Sequence, residues 1–297
     1  MIVTIANPAA GRGKGLHAIR ALESAFRGIG ANGVLTTQTG GDERRLVKEA
    51  LSRGAKTIIV LGGDGTCSKV ADEILRARAD CRLALIPSGT GNDFAKTLGL
   101  GAARPLEAFQ LATSGNAAHI DVGQADGHYF LNSCGFGFDA SVLEASNRVR
   151  FLRGDAVYIY SALGQLFTYR GIEVSANGVP GVTRGRMLMV TVSNGRSLGG
   201  AFKIAPHASV LDGKLDACFF SDTNVVERVK LFVGAMRGTH IGMPSVMSAS
   251  VQHFSLTFPI SPLMEIDGEL RVARSRTVDL QCLPAALSVI AAPGAIV

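Results

Sequence analysis

Three times within the first hundred residues a short apolar run breaks directly into a glycine-rich turn that opens a helical pattern, and this recurrence limits the fold more than any other feature of the chain. The runs are Ile2-Val3-Thr4-Ile5, Thr57-Ile58-Ile59-Val60-Leu61 and Leu83-Ala84-Leu85-Ile86. The turns are Asn7 to Gly15, Gly62-Gly63-Asp64-Gly65-Thr66 and Pro87-Ser88-Gly89-Thr90-Gly91-Asn92-Asp93. The alternation reads strand 2–5, helix near 15–29, strand 33–37, helix 42–53, strand 57–61, helix 67–78, strand 83–86 and helix 93–98. Strands alternating with helices imply a parallel, doubly wound α/β sheet. In such a sheet the strand-to-helix turns share the carboxyl edge, where ligands bind.

Past about Asp121 the texture changes. Asp126-Gly127, Asn177-Gly178, Asn194-Gly195, Asp212-Gly213 and Asp267-Gly268 recur between apolar stretches, and such dipeptides are strong hairpin signals. The second half is expected to be mainly antiparallel β, folded as a sandwich or layered sheet. At 297 residues the chain exceeds the usual single-domain size, which suggests two cores. The expected division is residues 1–122 as an α/β domain and 123–283 as a β-rich domain. A last strand, Ala286 to Ala291 within residues 284–297, is expected to return to the first.

A glycine-rich turn leading from a strand into a helix presents unpaired backbone N–H groups and the positive end of the helix dipole, which together favour a phosphate. An acid in that place repels phosphate unless it holds the cation that neutralises it, so Asp64 makes most sense as a holder of Mg²⁺. A tight turn explains Gly-Asp-Gly as well, and Asn92 or Asp93 is equally readable as a helix N-cap. The first turn is neither a Walker A loop nor a dinucleotide fingerprint: Lys14 precedes Gly15 instead of Ser or Thr, Pro8 stands where the first glycine belongs, and Leu16 replaces the third glycine of the fingerprint.

Composition excludes several classes. Five scattered cysteines without a Cys-x-x-Cys pair argue against zinc and against a disulfide framework, which suggests a reducing cytoplasm. No apolar run reaches the roughly 18–20 residues that span a bilayer, and no signal peptide is expected before Ile2. Tryptophan is absent and no basic stretch is interleaved with aromatics, so nucleic acid is a poor partner. The net charge of +6 favours an anionic surface. Arg148, Arg150 and Arg153 precede the apolar, tyrosine-rich segment Val157 to Tyr169, which ends at Arg170. That pattern suits peripheral contact with the inner face of a membrane, and a core helix with solvated flanks explains it too.

In their joint order, Asn7-Pro8 with Gly11, Gly62 to Thr66 and Ser88 to Asp93 resemble the diacylglycerol kinase catalytic family, which includes bacterial lipid kinases and sphingosine and ceramide kinases. Ile120-Asp121-Val122-Gly123, the stretch Asn132 to Asp139 with Gly135-Phe136-Gly137-Phe138-Asp139, Leu211-Asp212-Gly213 and Asp267-Gly268-Glu269 extend the resemblance over nearly the whole chain. It implies an ATP- and Mg²⁺-dependent kinase acting on a lipid hydroxyl, with diacylglycerol the first choice of acceptor and ceramide or a sphingoid base the second. By the same resemblance Asn7, Gly11, Thr37, Gly62, Gly63, Asp64, Gly65, Thr66, Ser68, Thr90 and Asn92 line the nucleotide. Thr37 is placed by its spacing to Gly41-Asp42.

Asp64, Asp93 and Asp121 are implied to hold catalytic Mg²⁺ through water, and Asp212 with the main-chain oxygens of Ser209 and Lys214 a structural Mg²⁺. Glu269 takes the place of general base and Asp267 orients it or contacts metal. The spacing of two puts Glu265, Asp267 and Glu269 on one strand face, with Gly268 a point of bending, although Asp267-Gly268 is also a good hairpin turn. Ser68 and Lys69 stand where many relatives carry Asn and Glu, and Lys69 reverses a charge near the nucleotide. An NAD kinase, which shares Gly-Gly-Asp-Gly, and a catalytically silent nucleotide-binding regulator are the alternatives, and a homodimer is compatible with all three.

Overall fold

The computed structural model describes residues 1–28, 33–146, 155–181 and 184–296. Arg148, Arg150 and Arg153, the basic flank of the expected membrane segment, lie outside the described residues. The chain packs as two compact units, Met1–Ile120 with Ala285–Val297, and Asp121–Pro284.

In the first unit β1 (Ile2–Ala6), β2 (Val34–Thr36), β3 (Thr57–Gly62) and β4 (Arg82–Pro87) pair in parallel in the order β2-β1-β3-β4. Val289, near the end of the last strand of the chain, joins the same sheet in parallel beside Leu83. Every residue of β3 is buried, as a parallel strand covered on both faces requires. On one face Ile59, Leu61, Ala84 and Ile86 pack with α1 (Lys14–Ala21), α2 (Glu23–Gly28) and α6 (Pro105–Ser114). On the other lie α3 (Asp42–Ser52) and α4 (Asp64–Arg76), and the short α5 (Asp93–Thr97) follows β4.

The helix expected near 15–29 breaks into two at Leu22, and α6 was not anticipated; Pro105 at its first position and Glu107, whose Oε2 accepts the Arg104 N–H at 3.0 Å, set its start. Helix α4 begins at Asp64 instead of Cys67. Gly65 therefore lies inside the first turn, where the backbone N–H groups still have no helical partner and a glycine costs little.

The second unit is antiparallel. β5 (Ala117–Ala125) turns back into β6 (His128–Phe130) at Asp126-Gly127, both residues at positive φ. β7 (Ser133–Gly137) pairs with β9 (Arg184–Ser193) and β13 (Leu263–Ile266), and β13 with β14 (Glu269–Val272). β9 also pairs with β8 (Ile172–Asn177) and β10 (Leu215–Ser221), and β10 with β11 (Val246–Val251). β12 (His253–Thr257) joins β8 to β15 (Thr277–Ile290). Phe136, Val190 and Phe219 from the first of these layers meet Phe254, Leu256, Val278 and Leu280 from the second across one core, the arrangement of a sandwich.

A second core lies on the outer face of β9 and β10, under α7 (Phe138–Ser146), α8 (Asp155–Thr168) and α9 (Val225–Arg237). The apolar segment expected at Val157 to Tyr169 is α8: Ala162 and Leu166 are buried in that core, whereas Tyr160, Leu163 and Phe167 are exposed. Among the described residues no helix is long and apolar enough to cross a membrane.

Two of the five hairpin dipeptides, Asp126-Gly127 and Asp267-Gly268, form two-residue hairpins, and Asn177-Gly178 ends β8. Asn194-Gly195 and Asp212-Gly213 bound the long connection between β9 and β10 instead. There the Asn194 and Gly195 N–H groups donate to the Asn132 carbonyl at 2.8 and 2.9 Å, so tertiary hydrogen bonds displace the local turn.

Candidate functional site

Because β1, β3 and β4 are adjacent and parallel, the three glycine-rich turns lie side by side at one sheet edge, and polar groups stitch them together. The Asn7 N–H donates to the Leu61 carbonyl at 2.8 Å and its Nδ2 to Thr66 Oγ1 at 2.9 Å, tying the first turn to the second. The Ser88 N–H donates to the Gly62 carbonyl at 2.9 Å, and Asp64 Oδ1 accepts the Phe94 N–H at 3.2 Å, tying the second to the third. Asn92 closes its own turn, Oδ1 accepting from Gly89 N and Nδ2 donating to Gly89 O.

The glycines at this edge are required by close approach. A Cβ on Gly89 would stand 2.5 Å from the Gly63 Cα, and one on Gly11, where φ is +57°, would overlap the Ser88 carbonyl oxygen. Thr37 is buried just past β2, its N–H donating to Ala6 O at 2.9 Å. The following turn is held by Asp42, whose Oδ2 accepts the Gln38 and Thr39 N–H groups. Those two backbone bonds, Thr39 first, hold the Asp42 carboxyl below its usual range.

Asn7, Gly11, Thr37, Gly62, Gly63, Asp64, Gly65, Thr66 and Asn92 thus belong to one edge of the first unit. Ser68 follows one turn into α4, half-buried, and Thr90 is exposed on the third turn. Asp93 is buried and its Oδ1 accepts from Lys96 Nζ at 2.9 Å. Ser88 Oγ, which the sequence reading left out of the site, is buried there with no hydrogen-bond partner among the described residues. Its only signal is its place before Gly89. A backbone-walled cradle that a side chain would fill, together with an unsatisfied hydroxyl, fits a bound polyphosphate, and the half-buried Asp64 carboxylate beside it is a hard oxygen donor of the kind Mg²⁺ prefers.

Asp121 falls in the second unit. Its Oδ2 accepts the Gly213 N–H at 2.7 Å and its own N–H donates to Val210 O at 2.8 Å, so it is grouped with the 208–214 loop. In that loop Asp212 Oδ1 accepts the Lys214 N–H at 3.0 Å and Ser209 Oγ the Leu211 N–H at 3.2 Å. Among the described residues no cluster of three or more His, Cys, Asp or Glu side chains is built to hold a metal ion.

The shared face expected for Glu265, Asp267 and Glu269 is corrected. Asp267-Gly268 is a two-residue turn with φ of +45° and +86°, which pairs Ile266 with Glu269 and Glu265 with Leu270. Residues paired across an antiparallel ladder share a face. Glu265 therefore leaves one face of the hairpin and Glu269 the other. Asp267 Oδ1 accepts the Asn132 and Ser133 N–H groups at 2.9 and 3.1 Å and Oδ2 the Leu131 N–H at 2.8 Å, so its carboxylate anchors the turn before β7. Glu269 is partly exposed and paired with Arg271, Oε2 to Nη2 2.8 Å.

Between the second core and its helices is a cavity with about 510 Å³ of empty space, part of it open to solvent. Leu166, Leu188, Met189, Phe202, Phe220 and Leu231 form much of its wall. Among the described residues, two of its lining side chains are charged. Arg228 is spent on structure, donating to the Leu166 and Tyr169 carbonyls at the end of α8 and to Asp222 Oδ1. Asp139, at the start of α7, is 2% exposed; Oδ1 accepts the Ala140 N–H at 2.7 Å, and Oδ2 has no hydrogen-bond partner among the described residues. Burial pushes its carboxyl up to about 7, against the pull of the backbone N–H groups of Ala140 and of Asp139 itself.

An α/β unit followed by a β-sandwich unit agrees with the two family models that the chain matches. Residues 1–125 match the family model described as the diacylglycerol kinase catalytic domain, and residues 132–291 match the YegS C-terminal NAD kinase β-sandwich-like domain. The class is a lipid kinase. The chain is 34% identical over 258 residues to "Probable lipid kinase YegS-like" of Pseudomonas putida, covering 86% of this chain and 83% of that one. It is 29% identical over 234 residues to "Diacylglycerol kinase" of Bacillus subtilis, covering 78% and 77%. The crystal structure of a diacylglycerol kinase from Bacillus anthracis superposes with a TM-score of 0.76 at 22% identity over 99% of this chain and 98% of that one, a likeness of fold. The chain belongs to the family of diacylglycerol kinases and YegS-like lipid kinases.

Proposed function

We propose that this lipid kinase transfers the terminal phosphate of ATP, as its Mg²⁺ complex, to the hydroxyl of a membrane lipid, with diacylglycerol the first acceptor and ceramide or a sphingoid base the second. The observation that carries the reading of the acceptor is the apolar cavity of the second unit: a wall of Leu188, Met189, Phe202, Phe220 and Leu231 suits a hydrocarbon chain and offers an NAD molecule almost nothing to bond.

In the first unit the backbone of Gly62 to Thr66 and of Ser88 to Gly91, with Asn7 and Gly11, would hold the phosphates, and Asp64 with Asp93 the metal, Asp121 being a further candidate. The bound metal would neutralise charge on the transferring group. Asp64 also fixes the start of α5 through the Phe94 N–H, so the residue proposed to hold cation is itself held. Glu269 is the proposed general base; its partner Arg271 limits where the carboxylate points, and Asp267 sets the hairpin from which it projects by anchoring Leu131 to Ser133. A base acts by being within hydrogen-bond reach of the hydroxyl, so this orientation counts before its pKa. Asp212, Ser209 and Lys214 remain candidates for a structural Mg²⁺. The outward stripe Tyr160, Leu163 and Phe167 of α8 supports peripheral membrane contact.

The test is incubation of the full chain with labelled ATP, Mg²⁺ and diacylglycerol, ceramide, sphingosine, phosphatidylglycerol or NAD, beside Asp64→Ala and Glu269→Gln. A labelled lipid, reduced about a hundredfold or more in both variants, is the expected result. Label only in NAD, or nucleotide binding with no product, rejects the reading.

A further inference from the structure

The two most exposed large apolar side chains among the described residues, Ile260 at 75% and Val272 at 68%, stand on adjoining loops of the second unit. Ile260 lies between β12 and β13, and Val272 ends β14, where the chain turns toward β15. The loops are tied by their backbones: the Ala273 N–H donates to Pro262 O at 3.0 Å and the Phe258 N–H to Arg276 O at 2.9 Å, and Val272 pairs with Leu263 across the β13–β14 ladder. Pro259 and Pro262 bracket Ile260 and fix φ on either side of it. In the other loop Ser275 Oγ accepts the Thr277 N–H at 3.1 Å. The tips are pre-shaped, so little order is lost when they meet a partner. Single exposed aliphatic residues are ordinary, but two on loops tied to each other make one patch.

Charge indicates what covers it. Arg274 and Arg276 are exposed on the second loop. Asp126, the acid bonded to that loop, is withdrawn: its Oδ2 accepts the Arg274 N–H at 2.9 Å, and its side chain is 13% exposed beside an Arg274 side chain that is 71% exposed. Aliphatic tips beside guanidinium groups match a surface that is anionic outside and apolar within, which is a bilayer containing acidic lipid.

We propose that the β12–β13 and β14–β15 loops form a docking face for an anionic bilayer, Ile260 and Val272 entering the headgroup layer and Arg274 and Arg276 meeting lipid phosphates. The inference rests on the lipid-kinase reading and adds to it a surface separate from the α8 stripe. Val272 is three residues along β14 from Glu269, about 10 Å at the rise of a strand. The headgroup layer of one leaflet is about 5–8 Å deep. A bilayer that touches Val272 therefore keeps an acceptor hydroxyl close to the proposed base.

The test is co-sedimentation of the full chain with vesicles of phosphatidylcholine, alone or with phosphatidylglycerol added, at low and high salt. The proteins are the wild type, Ile260→Ser with Val272→Ser, Arg274→Gln with Arg276→Gln, and Phe167→Ser on α8. The wild type is expected to bind the acidic vesicles, less so at high salt. Each loop pair is expected to weaken that binding roughly tenfold. Both pairs should keep turnover of monomeric dioctanoylglycerol and lose turnover of diacylglycerol embedded in vesicles.

A wild type that ignores acidic vesicles, loop pairs that bind like the wild type, or binding lost through Phe167→Ser alone overturns the docking face. Loop pairs that keep vesicle binding but turn a dimer into a monomer in ultracentrifugation give the patch to a second copy and overturn it too. Vesicle binding that follows the loop pairs while the wild type labels no lipid keeps the docking face and rejects the lipid acceptor. Should the aliphatic pair fail to fold, the arginine pair and the salt dependence decide.

Discussion

Replacing Asp139 by asparagine should change how stability depends on pH, and the size of the change follows from burial set against two backbone N–H groups. The folded state raises the carboxyl from its ordinary 3.8 to about 7. A group whose folded value is raised contributes stability that is complete below about pH 4 and is lost as the pH climbs through about 7. With about 1.4 kcal/mol for each pH unit of difference, the full loss is about 4 kcal/mol. Between pH 5 and pH 8 the part that falls in the window is roughly 2–3 kcal/mol, since the unfolded chain is already ionised at pH 5.

Asparagine does not titrate, so the variant should lack this slope and gain that amount relative to the wild type from pH 5 to pH 8. Cys134, Asp126, Glu265, Asp267 and Tyr169, titratable groups of this region, are present in both proteins and largely cancel in the difference. Urea unfolding followed by circular dichroism at pH 5, 6, 7 and 8 measures it. Parallel stability curves for the two proteins would refute the claim that the carboxyl is buried without compensation.

Gly89→Ala should weaken binding of a non-hydrolysable ATP analogue at least tenfold in calorimetry, because the new Cβ stands 2.5 Å from Gly63 Cα and 2.7 Å from Asn92 Oδ1 and pushes the second and third turns apart. Asp267→Ala strands three buried N–H groups, those of Leu131, Asn132 and Ser133, and should cost roughly 3–5 kcal/mol in chemical denaturation. Glu269→Gln, by contrast, should leave the melting temperature within a degree or two while removing turnover, as expected of a partly exposed side chain whose ion pair with Arg271 is partly exposed too.

How much was legible follows from the range over which each feature is decided. The strand, turn and helix recurrence of the first unit is local: β3 and β4 are continuous apolar runs, and Gly63 and Gly89 announce the turns that their close approach requires. The start of α4 was misplaced by three residues because Gly65 reads as a breaker, although a helix's first turn tolerates it. The face shared by Glu265 and Glu269 failed for a sharper reason. Counting by two assumes one strand, and the residues that end the strand, Asp267 and Gly268, lie between the two acids being counted.

The burial of Asp139 was beyond local reading, although the resemblance includes Gly135-Phe136-Gly137-Phe138-Asp139. Its neighbours Phe138 and Ala140 mark it as an acid in an apolar stretch, which surface helices often tolerate, and nothing adjacent in the chain says that its carboxyl is buried. The feature that accommodates it is the missing side chain of Gly135, and the cavity beside it is assembled from α7, α8, β9, β10, α9 and the loop after β9. The wall of this cavity is a sum of ordinary core residues from separated elements, each indistinguishable in sequence from packing. Its acid sits where a missing side chain leaves room, and since Gly135 and Asp139 stand on different elements, neither residue alone discloses the arrangement.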